Sequence, residues 1–167
     1  DLLKKHMESV QPQLVALSVP FPGNLYTSLR IGQWVKAHYP GVKVAMGGGF
    51  ANTELRSLSD ARVFEFYDFI TLDDGEAPLE HLIAFIQGRG TAAQLKRTFL
   101  LDGGKVMYNN NPLLKDYRQG EVGTPDYHDL LLPKYISTLD VANPMHRLWN
   151  DGRWNKLTMA HGCYWGK

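Results

Sequence analysis

Cysteine is almost missing: Cys163 is the single cysteine among 167 residues. One thiol excludes an intrachain disulfide framework, so the fold has to stand on a packed core. Charge of one sign is lacking too, since 18 basic and 17 acidic residues leave a formal +1. No single-signed field exists to attract nucleic acid or an anionic membrane. No apolar run approaches the roughly 20 residues of a spanning helix. The opening DLLKKHMESV reads as helix, not as a signal peptide. A cytoplasmic location, with neither nucleic acid nor membrane as partner, is the resulting expectation; nothing indicates an oligomeric state. Paired metal spacings such as H-E-x-x-H are absent, and the six histidines are scattered. The dinucleotide pattern G-x-G-x-x-G and the Walker lysine with its Ser/Thr are absent as well.

What is present is an alternation. QLVALSV (13–19), VKVAMG (42–47) and DFITL (68–72) are short, apolar, branched-rich runs. Each reads as a buried strand. Between and after them lie helical patterns. NLYTSLRIGQWVKAHY is a helix with Asn24 as its expected cap, ANTELRSL a short one capped by Asn52, and EAPLEHLIAFIQG a third,. This rhythm predicts an α/β fold: an open, mostly parallel sheet with helices on both faces. Three strands are few for such a sheet: either a first βα unit before Asp1 is expected to be missing, or the edge strands come from elsewhere. KRTFLLDGGKVMYNN then predicts a β-hairpin around Asp102–Gly104,. A long irregular segment follows, and WNKLTMAHGC reads as a strand that starts a new unit. The expected organisation is an α/β domain over 1–89, a hairpin and linker over 90–152, and a final strand over 153–167.

In an open parallel sheet, ligands bind beyond the carboxyl ends of the strands. Three unusual loops leave from that edge. Ser18, Val19 and Pro20 form the first, Gly47, Gly48 and Gly49 the second, and Asp73-Asp74-Gly75-Glu76 the third. The serine offers a hydroxyl, and glycines let a broad, flat group approach the backbone. Each feature also has a plain structural explanation: a tight strand-to-helix turn for the glycines, a first-turn helix carboxylate for Glu76. The coincidence of three such loops on one edge favours a site. The acidic third loop disfavours a pyrophosphate, so a large amide-rimmed cofactor suits these loops better than a dinucleotide.

Residues 14–88 resemble the cobalamin-binding domain that precedes the catalytic barrel in one class of radical S-adenosylmethionine enzymes. The resemblance rests on the serine loop, the Gly-Gly strand end and the Gly75-Glu76 pair, in that order. LTMAHGCYWGK resembles the first barrel strand of the same enzymes, where a Gly-Cys opens a [4Fe-4S] cluster motif. The usual C-x-x-x-C spacing does not follow, because Tyr164, Trp165, Gly166 and Lys167 come next. The resemblance implies a Rossmann-like, cobalamin-binding module of a radical enzyme, of a kind that includes methyltransferases. Ser18, Val19, Pro20, Gly47, Gly48, Gly49, Gly75 and Glu76 would cradle the corrinoid. Cys163 would be a metal ligand in the full-length protein, with S-adenosylmethionine as cosubstrate and the protein's own C-terminal barrel as partner. By itself the chain would be inactive, with no catalytic residue assigned to it. The alternative implied is a degenerate, cofactor-free domain that grips substrate or supports the same type of enzyme. A third alternative is an unrelated response-regulator-like or nucleotide-binding α/β domain.

Overall fold

A computed structural model describes residues 2–124, 126 and 128. The chain divides into two compact units, Asp1–Gly123 and Thr124–Lys167, and every element below belongs to the first. The expected strand over WNKLTMAHGC, and with it Cys163, lies outside the described residues.

The first unit is one five-stranded sheet in chain order: β1 (Leu14–Ser18), β2 (Lys43–Gly47), β3 (Phe69–Thr71), β4 (Thr98–Asp102) and β5 (Lys105–Asn109). β1, β2 and β3 run parallel, whereas β4 and β5 join antiparallel. The sheet is therefore mixed, and the hairpin extends it. Gly103 and Gly104 turn that hairpin at φ 54° and 79°. Positive φ at both centres is the two-residue turn whose twist matches paired strands.

β2 shows why the sheet needs both faces covered. Val44, Ala45 and Met46 are all buried, although successive side chains point to opposite faces. Val44 and Met46 join a core with Ile70, Leu72 and Phe99, into which helix α1 (Leu2–Val10) sends Met7 and helix α2 (Pro22–His38) sends Val35. Ala45 and Phe69 meet Leu82 of helix α4 (Glu76–Ile86) in a second core. Ile70 is fully buried; truncation to alanine at such a position costs about 2–5 kcal/mol.

α2 begins with Pro22, whose fixed φ suits a first helical turn,. Its cap position is Phe21, without a side-chain bond, so Asn24 lies inside the helix rather than capping it. The helix stops at Tyr39, because a residue ahead of Pro40 is pushed out of the α region. Ser28, Gly32 and Val35 form its buried face. Ser28 Oγ and Tyr67 Oη share a buried hydrogen bond of 2.8 Å. A short helix α3 (Gly49–Glu54) follows β2, and a 3-10 turn (Ala61–Glu65) leads to β3. Asp68, just before β3, accepts from the Val44 amide at 2.9 Å and from Lys36 Nζ at 3.2 Å. That ties the amino ends of β2 and β3 to α2.

Candidate functional site

The parallel strands end side by side at Ser18, Gly47 and Thr71, with Ser18 paired to Gly47. A cleft of about 300 Å³ opens there. Ala16 and Ala45 contribute small side chains to it. Ser18, Gly47, Gly48 and Thr71 line it from the strand ends, and Asp73, Gly75 and Leu79 from the third loop and α4. Other hollows of about 340 and 510 Å³ lie beside α4 and between α1 and Tyr39. The cleft at the strand ends is the stronger candidate, because open parallel sheets place ligands there.

The glycines owe their identity first to the protein itself. Gly48 has φ 99° and ψ −176°, a region open essentially to glycine alone. A Cβ on it would lie 2.9 Å from both Val19 N and Val19 O. A Cβ on Gly49 would meet Pro20 O at 2.7 Å, and one on Gly47 would meet Thr71 Oγ1 at 2.9 Å. The β1 loop is laid directly on the glycine run. It is fixed there by the Val19 amide donating to Gly47 O at 2.8 Å and by the Phe50 amide donating to Val19 O at 2.9 Å. A bulky residue at Gly48 would therefore disturb the fold itself, beyond any effect on a ligand.

Ser18, Gly47, Gly48 and Gly75 come together on the cleft. Val19 is buried beneath it, Pro20 is exposed on the loop, and Gly49 opens α3. Glu76 is an exposed first-turn residue of α4. Asp73, part of the third loop, also lines the cleft, as do Ala16, Ala45, Thr71 and Leu79, which were not singled out from sequence. Thr71 had a usable signal, as the residue closing the third strand; the others had none.

The third loop is held by side chains from far along the chain. Asp73 has φ 61°, and a non-glycine residue there costs roughly 1–2 kcal/mol unless its surroundings impose it. Asn52 Oδ1 accepts the Asp73 amide at 2.6 Å, which is the work Asn52 does in place of capping α3. The Asp73 carboxylate is paired with Arg56, and Arg97 Nε stands 3.8 Å away. The hydrogen bond to Asp73 pushes the Arg56 pKa further up. This carboxylate is already neutralised, so the argument that an acidic loop repels a phosphate loses that residue. Burial raises the pKa of nearby Tyr108, with the Asp73 charge adding to it.

The cleft thus offers two hydroxyls among small and apolar residues, that of Ser18 and that of Thr71, which also donates to Met46 O at 3.4 Å. That set can hold a ligand edge. No group of three His, Cys, Asp or Glu among the described residues is placed to hold a metal ion. No helix among them is long and apolar enough to cross a membrane.

No family model matches the chain, and no curated protein matches it. Among solved structures, it is similar to the apo form of OxsB, described as a cobalamin-dependent S-adenosylmethionine radical enzyme. The TM-score is 0.52 at 23% identity, over 65% of this chain and 15% of that one. At this distance the likeness shows a common α/β fold.

Proposed function

We propose that the cleft at Ser18, Gly47 and Thr71 is a corrinoid cradle, and that the chain is the cobalamin-binding module of a radical S-adenosylmethionine enzyme. One observation carries this reading. Three loops chosen from sequence for a broad, flat ligand converge on one cleft, in a fold similar to that of a cobalamin-dependent enzyme. Two features suit such a group: Ala16 is small and exposed on the cleft, and the Ser18 and Thr71 hydroxyls suit an amide rim. A corrinoid, when bound, supplies a cobalt-carried methyl group. The protein's share is binding and orientation. In the full-length protein, Cys163 would belong to a [4Fe-4S] cluster in a following barrel that also binds S-adenosylmethionine.

Titration of hydroxocobalamin into the folded protein, followed by visible absorbance, tests the proposal. Saturable binding that weakens about tenfold or more in the Ser18→Ala/Thr71→Val double variant is expected, two hydrogen bonds being lost. A natively folded protein that leaves the spectrum of the free corrinoid unchanged refutes it.

A cofactor-free domain with a supporting role is the second reading, and one observation favours it. The close approach that requires Gly48 and Gly49 is made by the protein's own Val19 and Pro20 backbone, so those two glycines need no ligand to explain them.

A further inference from the structure

The segment after β5 returns to the turn ahead of β4 and to α4. The Asn111 amide donates to Leu95 O at 3.1 Å, and Asn111 Nδ2 donates to Ala93 O at 3.1 Å. Lys96, whose side chain is 5% exposed, donates to Leu114 O and pairs with Asp116 at 3.0 Å. Tyr117 Oη donates to Glu80 on α4. Residues 111–117 are thus a strap fastened at both ends.

Arg97 touches both this strap and the wall of the cleft. Its Nη1 donates to Asp116 Oδ1 at 2.7 Å, and its Nη2 donates to Asp74 O at 3.2 Å. Its Nε points to Leu72 O at 3.4 Å. The side chain is 13% exposed, and its own backbone sits at φ 44°. Two non-glycine residues in the left-handed region, Asp73 and Arg97, face each other across these bonds. Such conformations persist where the surroundings over-determine them. The planar guanidinium, with five donors in a fixed fork, can serve two carbonyls and a carboxylate at once.

We infer that Arg97 is a positioning residue that latches the Asp73–Gly75 loop to the strap, so that the cleft wall and residues 114–117 loosen together. The latch lies within the protein and does not depend on what the cleft binds. It makes the position of the chain after Asp116 a control on the width of the cleft.

Hydrogen–deuterium exchange on the ligand-free protein tests it. Asp116 is 54% exposed, and Asp116→Ala changes nothing in either core. Exchange over residues 72–77 is expected to quicken about threefold to tenfold in Asp116→Ala and in Arg97→Gln. Over residues 72–77 the double variant should be no faster than Arg97→Gln, because Asp116 reaches that loop through Arg97, whereas its other pair, with Lys96, does not touch it. Amides in the middle of α2 should keep their wild-type rate. Wild-type exchange over 72–77 in Asp116→Ala overturns the latch. So do additive effects in the double variant, or an equal quickening of α2. If Arg97→Gln does not fold, Asp116→Ala decides alone.

Discussion

Replacing Gly48 by alanine strains the cleft in two ways at once, through the backbone conformation and through a steric clash. The backbone there has φ 99°, and holding an L-residue in that region costs about 1–3 kcal/mol. The new Cβ would stand 2.9 Å from Val19 N and Val19 O. These are backbone atoms pinned by hydrogen bonds to Gly47 and Phe50, so they cannot rotate aside. Forcing a methyl against such a neighbour costs about 1–3 kcal/mol more. Lower entropy of the unfolded alanine chain returns about 0.4–1 kcal/mol. The expected net loss is about 1–5 kcal/mol, seen as a reduced urea midpoint. For a unit of this size it also lowers Tm by roughly 3–5 °C per kcal/mol. Gly75→Ala is the matched control: its φ is −78°, and no atom lies within 4 Å of a Cβ built there. It should change stability by less than about 1 kcal/mol. A Gly48→Ala protein as stable as Gly75→Ala would refute the idea that the glycine run is fixed by the β1 loop.

Gly32→Ala should destabilise despite alanine's higher helix propensity, because its Cβ would lie 2.4 Å from Phe66 O. About 1–3 kcal/mol is expected, and a gain in Tm would contradict the packing of α2 against residue 66. Tyr67→Phe leaves the buried Ser28 hydroxyl without its 2.8 Å partner and should cost about 1–3 kcal/mol. Adding Ser28→Ala should recover part of it, and a double variant weaker by the full sum would argue against a shared bond. Burial raises the Tyr67 phenol above its ordinary 10, although the Ser28 bond opposes this. Near-ultraviolet titration should find Tyr67 among the tyrosines that ionise above 10, alongside Tyr108 and Tyr117, and Tyr67→Phe should remove one of these late-ionising groups. The Asp60 carboxyl is held down at about 2 by hydrogen bonds from the Arg62 side chain and amide. Its folded value is depressed, so its contribution is complete above the ordinary carboxylate value of 3.8 and is lost as pH falls toward about 2,. Carboxyl NMR should place that titration, and a midpoint near 4 would break the pairing.

The parallel strands were legible because each is a short apolar run bounded by strong punctuation. Pro12 precedes β1, Gly41 and Gly47 to Gly49 bracket β2, and Gly75 follows β3. The hairpin was legible from Asp102-Gly103-Gly104, since glycine suits the positive φ that the turn imposes. Helix caps were not. Asn24 and Asn52 have the right chemistry for a cap, but Pro22 starts α2 earlier, and the Asp73 amide, 21 residues from Asn52, takes its oxygen. The cleft was half legible. Ser18, Gly47, Gly48 and Gly75 are strand-end residues, which an open sheet makes conspicuous. Arg97 was invisible, because its importance arises from β4 lying antiparallel beside β3, and no local pattern around it announces a partner 23 residues earlier.

Each strand of the sheet lies beside the next one in the chain, and this has a consequence for how the molecule is made. No strand waits for a later one to be inserted between itself and its neighbour. The loops closed at each step are short, and loop-closure entropy slows folding less when contacts are near in sequence. During synthesis, domains begin to organise from the amino-terminal side. The floor of the cleft, carried by β1, β2 and β3, is thus complete in sequence by Thr71. Arg97 and Asp116 leave the ribosome later, and the latch is expected to close over a floor that already exists.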